Sequence, residues 1–288
     1  PIYPYNIYPN SDYKTPHLKF VDQHIRNLLS VVPDAKILIL GDARAGGNWR
    51  EANPDALMRD AFGNPGRESL ASPIYLEAIK KYIRSITEGI EAKPYADHVI
   101  GYKFVLGPQP DASLGGVQSN EGVTDRSKWT VGDWNQDALK AFQSFLRKKY
   151  DDDVEKLRFA WKNPEIDFDN AGPKLNGLVD IQPEHNLFRD PTKGRMAEDY
   201  FEFLSGLIAS TYSGVISPII REVTKGRAWV SSWAGYVVEL LRWVHPSSVE
   251  QNNTYGLAHN NFDSDIDCFA GTTSYGTRSV GDRITPFQ

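Results

Sequence analysis

Residues 99–111 read VIGYKFVLGPQPD, an apolar run that stops abruptly. The run is rich in β-branched and aromatic residues, which is typical of a buried strand, and Gly107, Pro108 and Pro110 end it. Asp111 follows directly after this break. Ligands of parallel α/β proteins bind at the carboxyl ends of the strands, so Asp111 is either an ordinary turn residue or a catalytic group.

Three further short runs are predicted to be buried strands. Their apolar character is continuous rather than alternating, as expected for parallel strands that are covered on both faces. Helical patterns separate them, and the alternation of helix and strand predicts a parallel sheet with crossover helices. The four predicted strands are residues 36–40, 98–106, 228–233 and 266–271.

Amphipathic helices are predicted over residues 20–32, 72–90, 135–150 and 198–223. We expect Pro218 to kink or interrupt the last of them. The residues expected on the buried stripes of the first two helices are Val21, Ile25, Leu28, Leu29 and Val32, and Ile74, Ala78, Tyr82, Ile83 and Ile86.

The start of the second helix carries its own signal. Ser72 is a candidate cap and Pro73 suits the first helical position.

The interval from about 151 to 195 differs from the rest of the chain. It is rich in Pro, Asn, Asp and Gly and shows no sustained period, which predicts an irregular excursion over the sheet. Its expected anchors are Trp161, Phe168, Leu178 and Phe188.

Length and composition bound the class of protein. The 288 residues favour one large domain, residues 1–288, and the net charge of -5 with interspersed signs argues against a nucleic-acid partner. The single Cys268 excludes an internal disulfide framework. We find no apolar run near the roughly 18 residues that span a bilayer, and expect no membrane partner. The sequence does not decide the cellular compartment, although secretion or the periplasm is favoured over the cytoplasm. It also leaves open whether the protein forms a homo-oligomer.

Common cofactor and metal motifs are missing. Residues 41–48, GDARAGGN, follow a strand but lack the Lys and the Ser or Thr of a phosphate loop. The six histidines are scattered without an HExxH pattern, and residues 263–267, DSDID, keep too little of a calcium loop. We therefore expect no cofactor and no metal.

Polar and aromatic residues at strand ends are typical of a sugar site. Sugar hydroxyls need polar partners, whereas the apolar ring face needs an aromatic platform. The candidate substrate-binding residues are Asp42, Arg44, Asn48, Trp49, Trp233, Tyr275 and Arg278.

Several stretches resemble the β-galactosidase-like barrels of glycoside hydrolase family 42 and related clan A enzymes. They include FVDQHIRNLLSVVPDAKILIL with NWREANPD, SPIYLEAIKKYIRSI with YADHVIGYKF, and GYVVEL with DIDCFAGTTSYGTR. The resemblance covers most of residues 18–280. It implies a (β/α)8 TIM barrel that lacks its first strand and its last ones here, and two carboxylates that act on a glycosidic bond.

The resemblance also assigns a catalytic residue. Gly107 falls on the family's Gly-rich turn, Asp111 on its general acid/base Glu and Ala112 on the following Trp. Its nucleophile has no counterpart before Gln288. The second carboxylate then lies beyond the chain, or it is one of Asp42, Glu121 and Asp125.

Three hypotheses for function follow. The first is a glycoside hydrolase with a two-carboxylate, retaining mechanism, in which Asp111 protonates the leaving oxygen of a carbohydrate substrate. The second is a carbohydrate-binding or scaffold barrel without catalysis. The third is a structural subunit of a larger assembly, which would cover an open edge of the barrel.

Overall fold

The computed structural model describes residues 18–59, 63–106, 133–172, 194–234 and 265–271. The helices are α1 (Leu18–Val31), α2 (Gly47–Ala52), α3 (Pro73–Glu91), α4 (Gln136–Lys149), α5 (Val154–Trp161), α6 (Arg195–Thr211) and α7 (Ser217–Thr224). The strands are β1 (Ile37–Asp42), β2 (Leu57–Arg59), β3 (Pro65–Glu68), β4 (Val99–Val105), β5 (Trp229–Ala234) and β6 (Cys268–Gly271).

Four strands form one parallel sheet in the order β1-β4-β5-β6. They coincide with the four strands that the sequence predicts, each within a few residues at its ends. The sequence did not predict the short antiparallel hairpin of β2 and β3, which follows the loop after β1. The main sheet therefore confirms the parallel β/α organisation.

The two faces of β4 have different surroundings. The Tyr102 hydroxyl donates to Glu91 at the end of α3 over 2.7 Å, so this face lies against the helices. The side chain of Phe104 lies on the same face by alternation and is buried, and its backbone carbonyl accepts a hydrogen bond from the Tyr212 hydroxyl at 2.7 Å. Side chains alternate along a strand, so Lys103 belongs to the opposite face, which we call the inner face.

Helix α1 buries a narrower stripe than its sequence predicts. Val21 and Ile25 are fully buried, and Leu29 is partly buried against the core. Leu28 and Val32, also expected on the buried stripe, are 42% and 47% exposed. Near the end of α1, the apolar stripe in the sequence is therefore wider than the part of the helix surface that is buried.

Helix α3 packs nearly as predicted. Tyr82, Ile83 and Ile86 are buried, whereas Ile74 in the first turn is exposed. Ser72 occupies the position before the helix, but its side chain makes no capping hydrogen bond. The prediction that Ser72 caps α3 is therefore wrong, and only Pro73 at the first position follows expectation.

The long helical region between residues 195 and 224 is interrupted as predicted. A π-helical turn, Tyr212–Ile216, separates α6 from α7, and Pro218 lies in the first turn of α7. A proline has no N–H to donate and its ring crowds the preceding turn, which favours such a break.

By length and composition alone, the region Arg195–Thr224 is long and apolar enough to cross a membrane. The sequence analysis did not foresee such a stretch. More than half of it is buried within the protein, including Tyr200, Tyr212 and Ile220. This burial is typical of a core helix.

The predicted irregular excursion begins later than expected. Residues Val154–Trp161 form α5, whose first turn is capped by Asp153 through hydrogen bonds from the N–H groups of Glu155 and Lys156. Trp161 is partly buried and Phe168 is buried, as expected of anchors. Leu178 and Phe188 lie outside the described residues.

Candidate active site

The predicted site residues divide into two groups. Asp42, Arg44, Asn48 and Trp49 are described, together with the backbone of Trp233 in β5. The predicted acid Asp111, the other candidate carboxylates Glu121 and Asp125, and Tyr275 and Arg278 lie outside the described residues.

Asp42 and Arg44 form one unit at the carboxyl end of β1. The Asp42 carboxylate is fully buried, and Arg44 Nη2 lies 2.5 Å from its Oδ2. Arg44 Nε donates to Oδ1 at 2.8 Å, and the backbone N–H of Arg44 donates to the same oxygen at 2.9 Å. A carboxylate that accepts from the backbone two residues later is the usual way in which Asp starts a turn. This turn therefore holds a buried charge pair at the strand end.

Asn48 and Trp49 lie in α2, a short helix where the sequence suggested only a loop. Asn48 is exposed in the first turn. Trp49 is only 7% exposed and packs edge-on against Tyr75, with ring centroids 5.8 Å apart. Trp49 is therefore a core residue, and its ring is not the open platform that the sequence predicts.

Glu68, which the sequence analysis missed, supports the loop after β1. Its buried carboxylate accepts the backbone N–H of Ala45 at 3.2 Å and the guanidinium groups of Arg50 and Arg67 at 3.0 and 3.1 Å. Since Glu68 ends β3, the β2–β3 hairpin ties this loop in place. No local motif marks Glu68, because its partners become neighbours only in the fold.

Tyr75 in α3 holds the loop from the other side. Its hydroxyl donates to the backbone carbonyl of Ala43 at 2.9 Å. Burial raises the pKa of Tyr75 well above its ordinary value, and the nearby charge of Glu68 raises it further. Tyr75 therefore acts as a neutral hydrogen-bond donor.

On the inner face, one layer on the amino-terminal side of the strand ends includes polar side chains. Leu40, Lys103, Ser231 and Cys268 are register neighbours on β1, β4, β5 and β6. Lys103 and Ser231 are both buried. The sequence analysis did not single out Lys103, although a lysine inside the apolar run VIGYKFVL was a visible signal.

The carboxyl end of β4 lies beside the Asp42–Arg44 pair. Asp42 is the register partner of Val105, the last residue of β4. Asp111 follows Leu106 by five residues in the sequence and lies outside the described residues.

Asp265 and Asp267, from the stretch compared with a calcium loop, are engaged in ion pairs. Arg221 contacts Asp265 at 2.9 Å and Asp267 at 3.1 Å. Within the described ranges, no three or more His, Cys, Asp or Glu side chains are grouped to hold a metal ion.

No family model matches the chain, and no curated protein matches it in sequence. The solved structures of similar fold that follow are named as enzymes that act on carbohydrates. The catalytic domain of a β-amylase from Paenibacillus polymyxa matches with a TM-score of 0.66 at 12% identity, over 99% of this chain and 71% of that one. A β-galactosidase from Bacillus circulans sp. alkalophilus matches with a TM-score of 0.53 at 16% identity, over 79% of this chain and 31% of that one.

A GH42 β-galactosidase from G. stearothermophilus gives a TM-score of 0.54 at 13% identity, over 79% of this chain and 30% of that one. The chain thus spans about 30% of the length of these β-galactosidases.

These similarities establish the fold. The chain is a β/α protein of the TIM-barrel class, as its sequence predicts. More narrowly, its fold is similar to that of the β-amylase catalytic domain and of the β-galactosidases named above. Barrels of one fold host many chemistries, so the activity has to be argued from the site.

Proposed function

We propose that the protein hydrolyses a glycosidic bond, with a β-galactoside or a close relative as substrate. The observation that carries this proposal is the combination of a glycosidase fold with a charge pair, Asp42 and Arg44, built into the carboxyl end of β1. In TIM barrels this end of the strands bears the active site. The next strand of the sheet, β4, leads into the segment that carries Asp111.

Asp111 is the proposed general acid. An acid of this kind protonates the leaving-group oxygen and accounts for about 10²- to 10⁴-fold of the rate. Its position in the sequence, six residues after Val105 at the end of β4, supports this role.

Asp42 is proposed to hold Arg44 in position beside the sugar rather than to attack the sugar. Arg44 already contacts both of its carboxylate oxygens, so neither is available as a nucleophile without breaking the pair. Within the chain, the remaining candidates for a second carboxylate are Glu121 and Asp125, which belong to the same segment as Asp111. A pair about 5 to 5.5 Å apart would give a retaining mechanism.

Asn48 and Arg44 are the described polar side chains proposed to contact substrate hydroxyls. Asn48 is exposed and Arg44 is half-buried next to Asp42. Trp233, Tyr275 and Arg278 complete the proposed pocket. Trp49 leaves the set because it packs in the core.

The decisive experiment compares two Asp→Asn variants, one after and one before β4 in the sequence. Asp111→Asn removes the proposed acid, whereas Asp97→Asn changes an exposed aspartate before the amino end of β4. With β-galactosides that have poor leaving groups, we expect Asp111→Asn to lower kcat/KM by about 10²- to 10⁴-fold. With nitrophenyl substrates the loss is smaller, because that leaving group needs little protonation. Equal activity of the two variants would overturn the assignment of Asp111.

One observation favours a second candidate function, a barrel that binds sugars without cleaving them. Among the described residues, the carboxylate of Asp42 at the end of β1 is paired with Arg44. This function predicts calorimetric binding of galactose by the chain with no turnover of any aryl glycoside, and binding that is unchanged in Asp111→Asn.

A further inference from the structure

Two arginines, one on α2 and one on β3, share a single carboxylate. Arg50 Nε lies 3.0 Å from one oxygen of Glu68, and Arg67 Nη2 lies 3.1 Å from the other. Arg44, in contrast, has the carboxylate of Asp42 as its partner. The two arginines and Glu68 together therefore carry one positive charge in excess, and the proposed hydrolysis of a neutral galactoside makes no use of it.

The negative side of this arginine cluster is buried, whereas its positive side is open to solvent. The Glu68 side chain is only 2% exposed, while the side chains of Arg50 and Arg67 are 35% and 11% exposed. A ligand that approaches from solvent meets guanidinium N–H groups first. The surface that the cluster presents to a ligand is therefore positive.

The two arginines have N–H donors that no described residue accepts. Among the described residues, Arg50 donates from Nε and Arg67 from Nη2, both to Glu68. Arg67 Nη1 is buried and has no hydrogen-bond partner there. A buried donor without an acceptor costs free energy, and an anion bound beside it would remove that cost.

The cluster adjoins the proposed sugar pocket. Glu68 accepts the backbone N–H of Ala45 at 3.2 Å, and Ala45 directly follows Arg44 in the loop after β1. This loop leaves the carboxyl end of β1, the end at which TIM barrels carry their active sites. An anionic group at the cluster can therefore belong to the same molecule as a sugar ring beside Arg44.

The chemistry of the cluster favours a carboxylate as this group. A guanidinium is a planar fork whose N–H groups match the two oxygens of a carboxylate. One positive charge in excess balances one carboxylate, whereas a phosphate monoester carries about 1.5 to 2 negative charges at neutral pH. A sulfate ester also carries a single charge, and the experiment below separates it from a carboxylate.

We propose that the substrate is an acidic sugar, a β-galacturonide, whose carboxylate binds between Arg50 and Arg67. This inference rests on the proposed function for the position of the sugar ring, and it adds the charge that the substrate carries. The carboxylate enters over the exposed guanidinium of Arg50 and supplies the acceptor that Arg67 Nη1 lacks. Galacturonate differs from galactose only in having a carboxylate in place of the primary alcohol, so the two sugars form a matched pair of probes.

The test is calorimetric titration of the whole chain with D-galacturonate and with D-galactose at neutral pH. We expect galacturonate to bind at least about tenfold more tightly, because a hydrogen bond to a charged acceptor is roughly twice as strong as one to a neutral acceptor. Added sodium chloride should weaken the binding of galacturonate and not that of galactose, because salt screens the charge. Equal affinities for the two sugars, or no binding of galacturonate, would overturn the proposal. Tighter binding of D-galactose 6-sulfate than of galacturonate would overturn the choice of a carboxylate.

Single substitutions of the two arginines test the site without leaving the buried carboxylate unpaired. Arg67→Met leaves Arg50 and the N–H of Ala45 on Glu68, and Arg50→Met leaves Arg67 and the same N–H. Each variant should lose about tenfold or more in affinity for galacturonate and keep its affinity for galactose within about twofold. Urea unfolding checks that both variants are folded, and either folded variant suffices for the test. Unchanged binding of galacturonate in a folded variant contradicts the proposal.

The matched control is Arg59→Met on β2, the other strand of the same hairpin. The Arg59 guanidinium donates to the backbone carbonyls of Pro54 and Gly63. Its substitution removes one positive charge from the hairpin but no group from the cluster, so the binding of galacturonate should stay within about twofold of the wild type. A loss as large as that of Arg67→Met would show a general effect of charge and overturn the site.

Hydrolysis is measured separately with nitrophenyl β-galactoside and nitrophenyl β-galacturonide. Turnover of the galactoside without tighter binding of galacturonate would overturn the acidic substrate and keep the proposed function. Tight binding of galacturonate that depends on Arg50 and Arg67, with no turnover of either glycoside, would keep the acidic-sugar site and overturn the hydrolysis.

Discussion

At the scale of the residue, the buried charge of Asp42 explains the conformation of the chain after β1. A carboxylate removed from water must be compensated, and the guanidinium and N–H of Arg44 compensate it within a two-residue turn. The pair is local in sequence, but the burial that makes it strong comes from the surrounding helices.

Removing the partner should therefore be costly. We expect Arg44→Leu to lower the free energy of unfolding by about 3 kcal/mol, because it leaves the Asp42 charge buried and unpaired. Urea unfolding measures the effect. The control is Arg26→Leu, which removes a solvent-exposed pair with Asp22 on α1 and should cost less than about 1 kcal/mol. Equal costs would show that the Asp42–Arg44 pair is as weak as a surface pair.

Lys103 predicts a pH dependence of stability. Its pKa is lowered to about 7 in the folded state, so between pH 7 and about 10 the unfolded chain binds more protons than the folded one. Stability should then rise with pH across this window, and the full penalty should be present below pH 7. Lys103→Met should be more stable than the wild type at pH 7, by an amount that shrinks as the pH rises, at up to roughly 1 kcal/mol per pH unit.

Urea unfolding of both proteins at several pH values gives the difference. The control is Lys81→Met, at a lysine of α3 whose side chain is exposed. A difference between Lys103→Met and wild type that does not change between pH 7 and 10 would contradict the lowered pKa.

At the scale of the element, residues that look equivalent in sequence start helices differently. Asp153 and Ser72 both occupy the position before a helix, and both residue types are common caps. The Asp153 carboxylate accepts two backbone N–H groups of α5. The Ser72 hydroxyl is buried and has no partner among the described residues.

The two positions should respond oppositely to alanine. Asp153→Ala should lower the free energy of unfolding by about 1 kcal/mol, since it removes hydrogen bonds to the first turn of α5. Ser72→Ala should be neutral or slightly stabilising, because it removes a buried hydroxyl that makes no bond. Thermal unfolding of both variants measures this contrast, and a loss at Ser72 as large as that at Asp153 would show that Ser72 has a bond in solution.

At the scale of the whole molecule, stability should centre on β4. This strand pairs with β1 on one side and β5 on the other, and its side chains are buried on both faces. The β2–β3 hairpin has only three and four residues per strand. Such a hairpin contributes little by itself.

Hydrogen exchange should report this difference. We expect the amides of β4 to exchange only through global unfolding. Those of β2 and β3 should exchange much faster through local opening. Exchange measured by mass spectrometry on overlapping peptides tests this. A hairpin as protected as β4 would mean that Glu68 and its arginine partners couple the hairpin to the sheet.

The sequence by itself determined the four strands of the main sheet, the long helices and the parallel class of the sheet. Apolar runs that end in Gly or Pro marked four strands, and the 3.6-residue period marked the long helices, because these signals are local and depend on the chain alone. The strand-end position of Asp42 and Arg44 was predictable for the same reason. The two short strands of the hairpin were missed, since three or four residues carry too little pattern.

Only the tertiary structure decided which side chains are available for function. The sequence predicted that Trp49 is an aromatic platform for a sugar, but in the fold Tyr75 of α3 packs against its ring. Glu68 and Lys103 acquired their roles from neighbours that are distant in sequence: Glu68 from the loop after β1, and Lys103 from β5 and β6. Burial, strand register and the compensation of charge depend on the whole fold, so no short stretch of sequence contains them.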